Sequence, residues 1–146
     1  MPLDLAARRA HHARTLSQLE FSMRVTRVFT GPDNESHFED LDVPLKSGRY
    51  GSLSEVVPAT GLMFRETPSG ATLDFHQAPQ RQFVVTLWGS CEVECADGAK
   101  RTFGAGDILL ADDTTGHGHI TRDLEGPRRS LFIPFPPDFD ISAWRV

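Results

Sequence analysis

Residues 70–89 read GATLDFHQAPQRQFVVTLWG, and this stretch decides the fold. Ala71 to His76 and Gln82 to Trp88 are two runs rich in β-branched and aromatic residues, parted by Gln77-Ala78-Pro79-Gln80. Such runs, bounded by Gly and Pro, predict strands. Gly89-Ser90 closes the second run, and Cys91 to Cys95 follows as its expected hairpin partner.

The same punctuation continues in both directions. Upstream, Arg24 to Thr30 alternates polar and apolar residues and ends at Gly31-Pro32-Asp33-Asn34. His37 to Leu45 reads as extended, 48–60 as a loop, and Thr60 to Thr67 as another strand before the turn Pro68-Ser69-Gly70. Downstream, Ala96-Asp97-Gly98 turns into Lys100 to Phe103, and Gly104-Ala105-Gly106-Asp107 into Ile108-Leu109-Leu110. His117 to Thr121 and Arg129 to Phe135 complete the series, with a tail carrying Phe139 and Trp144. Short strands with turns every ~8–12 residues and no long helical period predict an all-β sandwich or barrel. No phosphate-cradling glycine loop, nucleophile elbow or Cys-x-x-Cys pair is present.

The 146 residues suit one domain. The net charge of -5 and the lack of a basic stripe argue against nucleic acid or an anionic membrane as the main partner. No apolar run approaches the ~18–20 residues that span a bilayer. The two cysteines, Cys91 and Cys95, lie four apart on one predicted strand. That places them roughly 13 Å apart, beyond the ~7 Å that a disulfide tolerates. Two reduced thiols in a cytoplasmic protein are expected. Residues 1–22 differ from the rest, with Arg8, Arg9, His11, His12 and Arg14 among Leu and Ala. They lack a secretory h-region and are expected to form a helical or loose arm before a domain spanning 23–146.

The block from Gly70 to Pro134 resembles the cupin superfamily, whose small jelly-roll barrel, a double-stranded β-helix, carries two motifs. The first runs from a Gly through His-x-His and a Glu to a second Gly; here Gly70, His76 and Gly89 match, while Ala78 stands for the second His and Gln82 for the Glu. The second runs from a Gly through Pro-x-Gly to a His and an Asn; Gly106 and His117 match, whereas Asp112, Thr114 and Thr121 replace Pro, Gly and Asn. The resemblance implies a small-molecule ligand in the cavity and a homodimer. The edge candidates for the dimer are Arg24 to Thr30 and the tail with Trp144.

Alternation tests which side chains share the lumen. It expects Asp74, His76 and Ala78 on one face, Gln82, Val84, Thr86 and Trp88 on another, and His117 together with His119. Three readings of that set stay open. In the first, the resemblance implies a divalent transition metal (Fe, Mn, Ni or Zn) held by His76, His117 and Gln82 in a degenerate site; a rearranged site of His76, His117 or His119, and Asp74 is sterically possible but is not implied by the motif. In the second, no metal is used: His76 or His119 moves a proton near neutral pH, Gln82 orients a substrate oxygen, and Asp112 or Asp113 fixes a histidine tautomer. Asp74, Trp88 and Phe132 would contact substrate. Both are enzyme readings, of lyase, isomerase or oxygenase type. In the third, the barrel is a non-catalytic small-ligand binder, with Trp88, Phe75, Phe83 and Phe132 as an apolar wall. Arg81 is expected to face away from the lumen, and Arg128-Arg129 to be a solvated strand start or an anion contact.

Overall fold

The structure, a computed structural model, describes residues 22–146, so the expected arm lies outside the described residues apart from Ser22. The described chain is all-β: β1 (Ser22–Thr30), β2 (Ser36–Pro44), β3 (Lys46–Gly48), β4 (Gly51–Leu53), β5 (Met63–Thr67), β6 (Thr72–His76), β7 (Gln82–Trp88), β8 (Cys91–Glu94), β9 (Lys100–Phe103), β10 (Ile108–Asp112), β11 (His119–Asp123) and β12 (Arg128–Pro134). A short 3-10 turn covers Ser142–Trp144. Among the described residues no helix is long and apolar enough to cross a membrane.

The residues divide into two compact units. The larger holds 25–40 and 57–139. It contains most of a six-stranded sheet, ordered β2-β1-β10-β7-β12-β5, and all of a four-stranded sheet, ordered β6-β11-β8-β9. Neither sheet closes on itself, so the jelly-roll is an open two-sheet sandwich. β7 shows the period-2 burial its sequence predicts: Gln82, Val84 and Thr86 are buried, while Phe83 and Val85 are half-buried on the other face. β8 does the same with Cys91 and Val93. Val84, Leu109 and Ala111 of one sheet join Cys91, Val93 and Phe103 of the other in one core cluster. Each fully buried Val or Leu contributes roughly 1.5–3 kcal/mol relative to exposure.

The expected β7–β8 hairpin does not form. β7 pairs with β10 and β12, whereas β8 pairs with β9 and β11. The turn between them carries the chain from one sheet to the other. Gly89 permits this: its φ is +78°, and a Cβ there would lie 2.5 Å from the Glu125 carbonyl oxygen. The hairpin forms one step later, β8 to β9, through Ala96-Asp97-Gly98. β1, one of the two segments considered for a dimer edge, runs parallel to β10 within the chain. That leaves β2 and β5 as the edges of the larger sheet.

The smaller unit comprises 41–56, 140–146 and the start of β1. Part of the segment read as a loop is here the hairpin β3–β4. Leu41 bridges to Arg145, and Leu41, Ile141 and Trp144 are buried.

Candidate functional site

Within the larger unit a cavity of about 490 Å³ opens between the sheets. Apolar side chains such as Val84, Val93, Phe103, Leu109 and Phe132 form most of its wall. His76, Gln82, His119, Thr121 and the Arg128–Asp123 pair supply polar groups. The wall is mainly apolar, with a few polar groups converging, a composition also common in pockets that bind small molecules.

Two histidines define the polar end. His76 closes β6 and His119 opens β11, and the two are register partners across that strand pair. Their rings lie 4.4 Å apart at 58°. His119 Nδ1 sits 2.5 Å from Asp113 Oδ2. The same oxygen accepts from Ser36 Oγ at 2.6 Å. Asp113 has no exposed surface, and its Oδ1 has no partner among the described residues. A carboxylate at Nδ1 keeps a proton on that nitrogen, so Nε2 is the nitrogen of His119 left to exchange a proton. His76 is set the same way: Nδ1 donates to the Asp74 carbonyl oxygen at 2.8 Å. Burial pushes the His76 pKa below the ordinary 6.5; the Asp74 hydrogen bond opposes this, and the charges of His119 and Arg65 add to the lowering. Gln82 is 5% exposed, lines the cavity, and makes no side-chain hydrogen bond among the described residues.

Of the site residues expected from the sequence, the structure brings together His76, Gln82, His119 and Phe132, and it excludes three. His117 does not line the cavity. It stacks on Phe75, with centroids 3.9 Å apart, and pairs through Nδ1 with Glu35 at 2.8 Å. Alternation from His119 fails because Gly118 has φ +83°, with the space for a Cβ filled 2.0 Å away by the His76 carbonyl oxygen. Asp74 is exposed, and its Oδ1 caps the Phe75 N–H. The reason is an extra residue on β6: Thr121 faces Leu73 while His119 faces His76. Trp88 is 61% exposed and outside the cavity. Here β7 carries the extra residue, because Ser130 opposes Thr86 while Arg129 opposes Trp88.

The apolar wall likewise keeps only Phe132 of the expected aromatics, since Phe83 packs on Phe135. Asp113, not Asp112, orients a histidine; Asp112 pairs with Arg27 and Arg81. Arg81 faces away from the cavity, as expected, and also donates to the Phe139 carbonyl. Arg128, expected at a solvated strand start, is buried against Asp123, whereas Arg129 is exposed and pairs with Glu66. Cys91 and Cys95 are free and buried. Burial, then Asp97, pushes the Cys95 thiol up to about 12, which makes it a poor nucleophile.

The residues do not fit the expected metal. With His117 turned away, the cavity offers two imidazoles, a neutral amide and the Asp123 carboxylate, which is paired with Arg128, while Asp113 behind His119 is engaged by His119 and Ser36. Among the described residues no group of three His, Cys, Asp or Glu side chains is placed to hold an ion.

No protein-family model and no curated protein matches the chain. Solved structures do show likenesses. The conserved SPY1581 protein of unknown function from Streptococcus pyogenes is 18% identical with a TM-score of 0.42, over 57% of this chain and 70% of that one. Protein NMB1881 from Neisseria meningitidis is 18% identical with a TM-score of 0.42, over 56% and 81%. A 3,4-ketoisomerase from Helicobacter canadensis is 14% identical with a TM-score of 0.43, over 71% and 85%.

Proposed function

We propose that this chain is a metal-independent, cupin-like isomerase that moves a proton next to the carbonyl group of a small oxygenated substrate held in the cavity. The observation that carries this reading is the His76–His119 pair: two adjacent imidazoles lining one cavity, each held through Nδ1.

The two rings suit different roles. His76 is held neutral by burial, which suits a base. His119 has a buried counter-ion in Asp113 and suits the ring that carries a proton. His76 Nε2 takes the proton from the carbon beside the carbonyl. The C–H electron pair forms the new C=C bond, and the carbonyl π pair moves to oxygen. His119 gives that oxygen its Nε2 proton, and the Gln82 amide orients it. The enediol then takes a proton from His76 at the neighbouring carbon and returns one to His119, which completes the isomerisation with every proton accounted for. Positioned acid–base groups of this kind typically contribute about 10²–10⁴-fold in rate.

The test is hydrogen exchange. A panel of α-hydroxy ketones and aldehydes, free and phosphorylated, is incubated with protein in D2O and followed by proton NMR. Loss of the signal next to the carbonyl is expected, together with its persistence in the His76→Ala/His119→Ala double variant. Equal exchange in wild type and double variant would overturn the reading.

A further inference from the structure

We propose that Arg65 makes the cavity selective for small anionic ligands, with a carboxylate or phosphate group docked on its guanidinium and the rest of the molecule reaching towards His76 and His119. The anion site stands by itself; only the orientation of the ligand rests on the reading of the histidines given above.

Charge pairing carries the argument. Among the described residues of the larger unit, Arg27, Arg81, Arg101, Arg122, Arg128 and Arg129 each have a carboxylate partner at 3.0 Å or less. Arg65 has no such partner among the described residues, in a chain whose net charge is -5. It also lines the cavity. The other lining arginine, Arg128, is neutralised by the lining carboxylate Asp123. Among the described residues the wall therefore carries one arginine without a carboxylate partner, and its place is at the exposed edge strand β5.

Arg65 is also held there. Its guanidinium lies over the Phe132 ring, 5.1 Å from the centroid, and Phe132 lines the same cavity. A guanidinium on an aromatic face keeps its N–H edges free for a planar or tetrahedral anion. On the same face of β5, one pleat along, the Thr67 hydroxyl is buried without a hydrogen-bond partner. A ligand oxygen seated on Arg65 would bring acceptors towards that orphaned donor. Arg65 also reaches the reacting end electrostatically, since its charge helps lower the His76 pKa.

The test titrates wild-type protein with inorganic phosphate and, separately, with acetate, against chloride at matched ionic strength. The readout is the Arg65 Nε–Hε NMR signal. Saturable shifts with phosphate, acetate or both are expected, and their relative affinities distinguish a phosphoryl from a carboxylate ligand. Arg65→Gln should weaken binding about tenfold or more, read at the His76 ring signals, as expected for loss of a charged hydrogen bond. Arg65→Lys should retain part of it, and Arg129→Gln should leave it unchanged. Shifts no larger than in chloride, or undiminished affinity in Arg65→Gln, would overturn the proposal. Anion binding that persists while no substrate exchanges hydrogen would remove the isomerase reading alone. Exchange without anion binding would remove this proposal alone.

Discussion

The Asp113 carboxylate, wholly buried, holds Nδ1 of His119 at 2.5 Å, and the strand that carries His119 places its ring 4.4 Å from that of His76. Asn is the sharp substitution here. It keeps an oxygen for Ser36 and His119, and its new NH2 can occupy the side where Oδ1 has no partner. Asp113→Asn should therefore fold but lose the counter-ion for protonated His119. The expected result is a fall in hydrogen-exchange rate of about 10²-fold or more, with a thermal midpoint close to wild type. Asp113→Ala strands both Ser36 and His119, and should also cost about 1–3 kcal/mol for each buried group left unpaired.

His76 gives the pH dependence. Its pKa lies below 6.5 in the folded chain because burial disfavours the charged ring. Between that lowered value and 6.5 the unfolded chain binds more protons, so stability rises with pH across this window and falls as the pH drops through it. A base that stays neutral to lower pH also moves the acid limb of the rate profile below 6.5. The His76 ring protons should titrate below 6.5 in wild type and at higher pH in Arg65→Gln, which removes a like charge. A midpoint above 6.5 in wild type would contradict the burial argument.

What the sequence made legible was periodicity, and it failed where one residue broke the period. Gln82 to Trp88 is a strand with the ends expected, and its alternation places Gln82, Val84 and Thr86 correctly. The rule then misplaces Trp88 because β7 holds an extra residue opposite β12. It misplaces Asp74 because β6 holds one opposite β11. A bulge adds a residue without a sequence signature strong enough to announce it. Gly118 was visible as a glycine, but its positive φ depends on how closely His76 packs against it. The His119–Asp113 pairing was one of two options in the sequence, and only the packing of Arg27 and Arg81 onto Asp112 decides between them.

Gly118→Ala tests that close approach. A Cβ would fall 2.0 Å from the His76 carbonyl oxygen, and φ +83° is unfavourable for Ala as well. Left-handed backbone alone costs about 1–2 kcal/mol, and the clash must also push β6 from β11. The expected outcome is a lowered thermal midpoint with altered His76 and His119 ring signals. Gly98→Ala, at φ +90° but with open space around it, should show the backbone cost only. Equal effects of the two substitutions would mean that the His76 contact is not what makes Gly118 necessary.

Arg128 and Asp123 form the buried ion pair of the cavity wall, with Nε to Oδ1 at 2.5 Å. Burying both charges costs desolvation that their attraction largely offsets, so the pair need contribute little net stability. Breaking it is different, because one charge remains buried alone. Arg128→Met and Asp123→Leu should each destabilise the protein by about 3–5 kcal/mol, measured by urea unfolding. The double variant should recover much of that loss, because neither charge is then left uncompensated. If the double variant loses as much as the two single losses added together, the pair is not coupled and the wall depends on each side chain separately.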